Sequence, residues 1–401
     1  LEDGRLLARD EQNKTVDYVA RARALVPLIE AASDRIEAER RIVPDAVAAL
    51  HEAGLFHMLL PPAMGGGGAD IVAFNEVIET VAGADASTAW CLGQQVASTQ
   101  AAGYLDPKIA REVFAPPHGA VAWGPPSGAT AKITDGGYVV TGRWRFASGS
   151  GHCPWIGGHA AVIEPNGQPR RDDMGRPVMR TMLFRKEQVT FHDIWHVIGL
   201  RGTGSNAYEV RDQFVPEAYT TWRDQPSDRR DDGPLYNIPL LTLYGIGFCG
   251  VGLGLARACL DAFMSLAATK AARGSMGPAQ LLRDSALIQS DAARATAQLA
   301  SARAFLRDML HEIWEASVSA GHFTLEQRAR LRLAITSALE QSRHVVDFAY
   351  HAAGSNAIFA GSPFERRFRD MHTVTAQGQA HMSNFESAGQ ALFGLEPSQR
   401  L

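Results

Sequence analysis

The stretch from Ala120 to Thr221 is strongly strand-like in a chain that otherwise carries helical periodicity. Short β-rich runs follow one another there: Val121-Ala122-Trp123, Ala131-Lys132-Ile133, Tyr138 to Thr141, His159 to Ile163, Met182-Leu183-Phe184 and Ala207 to Val210. Asp135-Gly136-Gly137 between two of them is a hairpin signal, because glycines supply the positive φ of a tight turn. Glu164 to Arg176 is polar and reads as an exposed loop. An antiparallel β unit of this kind cannot merge into a helical bundle, so the 401 residues must form separate layers.

Before it, Val16 to Arg40 places apolar residues at three-and-four spacing with charges between. The run Pro61 to Asp70, with four consecutive glycines, is a loop. Asp70 and Asp85 each start a helix, the first carrying Phe74, Val77, Ile78 and Val81 on one face. After it, Asp284 to Ser317, Thr324 to Ala353 and Pro363 to Leu392 read as long helices, which suits an antiparallel four-helix bundle. The expected fold is therefore mostly α within an α+β class. Residues 1–118 form an N-terminal helical domain, 119–228 a small central antiparallel β-barrel domain, and 229–401 a C-terminal four-helix bundle.

A net charge of -4 without a basic stripe argues against nucleic acid as a partner. The four cysteines are scattered, with no Cys-x-x-Cys pair, and none of the thirteen histidines has metal-ligand spacing. Neither a structural metal nor a disulfide scaffold is expected, and the thiols suit a reducing, cytoplasmic setting. Ile238 to Leu255 is apolar enough for a membrane span, but its five glycines fit close helix packing better. No membrane partner is expected.

Two segments invite a ligand. Tyr138, Val140, Gly142, Trp144 and Phe146 alternate along one strand face, and Ser148-Gly149-Ser150-Gly151 then offers hydroxyls and close backbone approach. Gly199-Leu200-Arg201-Gly202-Thr203-Gly204-Ser205 lacks the Lys-Ser/Thr ending of a phosphate loop and precedes a strand-like run. Its hydroxyls could border the polar edge of a flavin ring, and Arg201 could support an anion. The plainer readings are a core tryptophan with a turn, and a tight connection between strands. Tyr350 to Ser355 ends a helix at Gly354, as a C-terminal signal or as a bend that meets a cofactor. His152, His351, His372 and His381 lie nearest these motifs, with Asp370 and Glu386 as further acid–base candidates.

Taken together, these segments resemble the acyl-CoA dehydrogenase fold superfamily. The resemblance is carried by Ala53-Gly54-Leu55-Phe56 with Leu60-Pro61-Pro62, Asp135 to Trp144, Gly199 to Ser205, and Glu365-Arg366-Arg367-Phe368-Arg369-Asp370. Within it the chain looks most like the class D two-component flavin-dependent monooxygenases. That likeness implies a reduced flavin, FMN or FAD, delivered by a separate reductase, a C4a-hydroperoxide formed with O2, and hydroxylation of a small, aromatic or otherwise electron-rich substrate. Trp123-Gly124-Pro125-Pro126 replaces the Glu-Pro of the dehydrogenases, and the place of their glutamate base falls at about Gly378. Phe146-Ala147-Ser148-Gly149 with Trp155 resembles the monooxygenase pattern, whose serine sits by the reactive flavin edge.

The resemblance implies Trp144, Phe146, Ser148, Arg201, Thr203, Ser205, Arg273 and Gly354 as flavin contacts. Arg273 is similar to an arginine that reaches the flavin phosphate from a neighbouring subunit, which implies a homotetramer built through the bundle. Many members have histidine where this chain has Ser98 and Gln377. His381, one helical turn beyond Gln377, is expected to stand in as the acid–base group, with His372 behind it and Ser148 beside the reacting atoms. The alternatives are an acyl-CoA dehydrogenase with bound FAD and a flavin-binding homologue without catalysis.

Overall fold

The computed structural model describes residues 16–125, 127–222, 225–271 and 280–399. The N-terminal part holds α1 (Tyr18–Glu39), α2 (Pro44–Glu52), α3 (Ile71–Ala84), α4 (Ala86–Ser98) and α5 (Pro107–Phe114). Two aspartates start α3 and α4. Asp70 accepts a hydrogen bond from the Ala73 amide at 2.7 Å, and Asp85 from the Thr88 amide at 2.7 Å. Each side chain satisfies an N–H that the first helical turn leaves without a partner.

Eight strands follow: β1 (Val121–Gly124), β2 (Thr130–Thr134), β3 (Gly137–Trp144), β4 (Trp155–Ile163), β5 (Met179–Arg185), β6 (Thr190–His192), β7 (Ala207–Pro216) and β8 (Thr220–Thr221). They form one sheet in the order β6-β7-β3-β2-β4-β5-β8, with β1 paired to β4. Most pairs are antiparallel, but β1 and β2 both run parallel to β4. The sheet closes over its own apolar cluster, with Trp144, Phe184 and Tyr208 wholly buried.

The C-terminal part contains α6 (Leu240–Ala267), α7 (Ala286–Ser319), α8 (Leu325–Ala353), α9 (Glu365–Val374) and α10 (Ser383–Leu392). Thr324 and Gln327 cap the start of α8 reciprocally, as the sequence suggests. The segment expected as one helix over Pro363 to Leu392 is two, joined by a turn at Gly378–Ala380. The Gln377 side chain accepts the Gln379 amide at 2.6 Å and so fixes that turn.

Helix α6 has the length and hydropathy of a membrane span, yet 83% of its most apolar 18-residue stretch is buried within the fold. It packs on α3, α4 and α8. A side chain at Gly254 would collide with the Glu79 carbonyl on α3 at 2.3 Å, so glycine lets the two helices meet. The shared core then runs continuously from the N-terminal helices into the bundle.

Candidate active site

A cavity of about 740 Å³ opens where the sheet, the N-terminal helices and the bundle meet. That size is within the range of small-molecule sites. The sheet side contributes Trp123 from β1, His159 from β4, Met179 and Thr181 from β5, then Phe146, Ser148 and Trp222. The loop after β6 contributes Trp195, Leu200, Thr203 and Ser205. Trp90 and Gln94 of α4 face them, while Leu240, Leu241, Tyr244 and Phe248 of α6, Arg332 of α8 and the segment Ala376–Gln379 complete the wall. Among the described residues, no aspartate or glutamate lines this cavity.

The two segments expected to meet a ligand do converge. Ser148 Oγ lies 2.7 Å from Ser205 Oγ, which lies 2.7 Å from Thr203 Oγ1. Thr203 donates its hydroxyl to the Leu200 carbonyl at 2.8 Å, and Trp90 Nε1–H donates to Ser148 Oγ at 3.1 Å. All three hydroxyl residues are buried. Backbone strain is concentrated here too. Phe146 at φ 63° and Leu200 at φ 51° are non-glycine residues in the left-handed region, and both line the cavity. The turn at Phe146 takes the chain out of β3 and swings its ring to a largely exposed position at the cavity.

Beside the hydroxyls, Trp90 stacks on Phe248 with ring centroids 4.3 Å apart, and Phe248 on Tyr244 at 6.4 Å. This aromatic wall suits planar ligands. The Tyr244 hydroxyl pairs with Ser98 Oγ at 3.3 Å. On the sheet side His159 Nδ1 pairs with Thr181 Oγ1 at 2.9 Å, and the imidazole lies nearly parallel to Trp123 at 6.1 Å. On the bundle side, Gln377 Nε2 is a buried amide donor with no partner. Such an atom is open to a ligand group or an ordered water.

Other expected site residues lie elsewhere. Trp144 is buried inside the sheet, stacked on Tyr208 at 5.1 Å, and donates to the His159 carbonyl at 2.9 Å. The alternation marks one strand face from Tyr138 to Trp144, but that face packs in the sheet's own core and Phe146 lies beyond the strand. His381 is exposed and pairs with Ser383 Oγ at 2.7 Å, because the chain leaves the helix before reaching it. His372 Nε2 contacts Asp347 Oδ1 at 2.8 Å and packs on Phe368, away from the cavity wall. Arg201 turns to α1 and pairs with Glu37 at 3.7 Å. Gly354 ends α8 at φ 58°, exposed and outside the cavity lining. Arg273 lies outside the described residues. His152 is buried and its imidazole is pushed down to about 3 by desolvation, so it stays neutral and donates to Gln95 Oε1 at 3.0 Å.

His159, Trp90 and Trp222 escaped the sequence reading. Trp123 and Gln377 left a signal, Trp123 in the segment set against the Glu-Pro of the dehydrogenases and Gln377 where the resemblance implies histidine.

Comparison with known proteins is consistent with this geometry. Residues 10–105 match the acyl-CoA dehydrogenase N-terminal domain family, and residues 246–382 match its C-terminal domain family. The chain is 30% identical over 381 residues to the indole-3-acetate monooxygenase of Pseudomonas putida, covering 93% of this chain and 94% of that protein. The chain belongs to the flavin-dependent monooxygenases of the acyl-CoA dehydrogenase fold. It is an enzyme, an oxidoreductase. It is also 28% identical to the oxygenase component of a FADH2-dependent resorcinol hydroxylase from a Rhizobium species, with 95% of each chain covered. The crystal structure of the HsaA monooxygenase from M. tuberculosis shares the fold, with a TM-score of 0.85 at 24% identity over 96% of this chain and 98% of that one. The hydroxyl chain, the aromatic wall and the orphaned Gln377 amide fit a planar ring with polar edges.

Proposed function

We propose that this chain is the oxygenase component of a two-component system that hydroxylates a small aromatic substrate. Reduced FMN or FAD comes from a separate reductase, and the enzyme works in the cytoplasm as a homotetramer. The observation that carries this reading is one cavity holding a hydroxyl chain and an aromatic wall, with no carboxylate among its described lining residues. An acyl-thioester dehydrogenase needs a base for the substrate's α-proton, and at the place of its glutamate this cavity has Gly378. The relatives named for indole-3-acetate and resorcinol support an aromatic substrate, and the name "oxygenase component" supports the separate reductase.

The bound flavin supplies the oxygen-transfer chemistry. Ser148, Ser205 and Thr203 hold its polar edge, with Phe146 alongside the ring. Trp90, Trp123, Trp222, Leu240 and Phe248 keep bulk water out, which protects a reactive intermediate from hydrolysis. Gln377 Nε2–H would donate a hydrogen bond to a group bound there. His159 takes the acid–base role first assigned to His381 and His372, because among the described residues it is the one histidine lining the cavity. Thr181 fixes its ring orientation through Nδ1. Exposed Ile358, Phe359, Leu392 and Phe393 give the C-terminal part apolar surface that supports assembly into a tetramer.

Anaerobic titration with reduced FMN and reduced FAD tests the reading. One flavin should bind per chain, and Ser148→Tyr, which fills the cavity, should abolish binding while the fold is kept. Absence of binding in the unaltered protein would overturn it.

A further inference from the structure

The hydroxyl chain has a direction. Each of the three hydroxyls owns one proton, so the end of the chain decides where every proton points. Thr203 Oγ1 sits 2.8 Å from the Leu200 carbonyl oxygen. Without a proton between them, two oxygens at that separation would face each other with lone pairs. The Thr203 proton therefore goes to Leu200. Trp195 Nε1–H, at 3.0 Å, and the Thr203 amide, at 3.1 Å, donate to the same carbonyl and hold it in place.

With the Thr203 proton committed, Thr203 Oγ1 can only accept, so Ser205 donates to it across 2.7 Å. Ser205 must then accept from Ser148, also across 2.7 Å. Ser148 in turn accepts from Trp90, whose indole N–H can only donate. No hydroxyl proton is left over for the cavity. The hydroxyls present the cavity only lone pairs.

Flavins differ in this respect by redox state. The reduced ring carries N–H at N5, whereas the oxidised ring has a bare nitrogen acceptor there. We infer that the Thr203–Leu200 contact locks the chain so that the cavity distinguishes the two, accepting from the reduced ring's N5–H and setting lone pair against lone pair with the oxidised ring. Thr203 and Ser205 are then positioning residues acting through Ser148. The site would take flavin in the reduced form and let it go once oxidised, as an enzyme fed by a separate reductase requires. The inference rests on the flavin reading proposed above.

The test is binding, not turnover. Affinities for reduced FMN, measured anaerobically, and for oxidised FMN are compared by quenching of tryptophan fluorescence. The unaltered enzyme should favour the reduced form by at least about tenfold, a difference within what one polar contact supplies. Thr203→Val removes the proton's destination and frees the chain to reverse, so the preference should fall about tenfold. Ser205→Ala, which breaks the chain one link earlier, should do the same. Thr203→Ser should keep it. Equal binding of both forms by the unaltered enzyme would overturn the inference alone. So would an unchanged preference in Thr203→Val and Ser205→Ala, as expected if the chain faced the N3–H present in both forms. Failure to bind either form would overturn the flavin reading itself.

Discussion

The amide of Leu200 donates to Asp370 Oδ1 at 2.6 Å, joining the cavity loop to helix α9 through a buried carboxyl. Arg369, the residue before it, reaches the Ile198 carbonyl and pairs with Glu37 at 3.0 Å. Helix α9 thus clamps the loop whose strained Leu200 anchors the hydroxyl chain.

Burial, the largest influence, pushes the Asp370 carboxyl up to about 7, with the Leu200 N–H pulling the other way. The folded state then holds this proton more tightly than the unfolded chain. Its stabilising contribution is complete below roughly pH 4 and is lost as pH rises to about 7, at up to about 1.4 kcal/mol per pH unit. Asp370→Asn keeps an acceptor for Leu200 but cannot ionise. Denaturant titrations from pH 4 to pH 7 should show a flatter stability profile in that variant. An identical slope would show that Asp370 does not titrate there.

Gln377 has two functions that substitution can separate. Its Oε1 fixes the turn through the Gln379 amide, and its Nε2 offers the cavity a donor. Gln377→Glu keeps the acceptor and removes the donor. Reduced-flavin or substrate affinity should fall about tenfold, in line with a lost buried polar contact, while the melting temperature stays near that of the unaltered enzyme. A large stability loss with affinity intact would make Gln377 a turn residue only.

Trp123 reaches the cavity because it lies over Gly157 on the neighbouring strand. A Cβ at Gly157 would fall 1.9 Å from the indole. Gly157→Ala should therefore displace Trp123, destabilise by about 1–3 kcal/mol as overpacking does, and change which aromatic substrates are accepted. Thermal melts and a substrate panel measure both effects. Unchanged selectivity would remove Trp123 from the substrate wall.

The layers were legible in the sequence because strand alternation and helix capping are local. Asp70, Asp85 and Thr324 start helices by contacts spanning three residues, and a single chain displays those. Ser148, Thr203 and Ser205 were legible as a group since glycines and hydroxyls mark both loops. The rest depended on tertiary placement. Period-two spacing cannot say that Trp144 faces the sheet's own core while Phe146, two residues on, turns out at positive φ. One helical turn from Gln377 to His381 held only if the helix continued, and α9 ends at Val374, before Gln377 is reached. Trp90, His159 and Trp222 come from three separate elements, so nothing in their spacing brings them together.

The most direct measurement follows the oxygen atom. The enzyme is mixed with chemically reduced flavin, isotopically heavy O2 and a phenol or indole, and the products are weighed by mass spectrometry. A ring-hydroxylated product carrying one heavy oxygen atom is the expected result. Hydrogen peroxide as the sole oxygen product, or a substrate that has lost two hydrogens and gained no oxygen, would contradict an oxygenase built around this cavity.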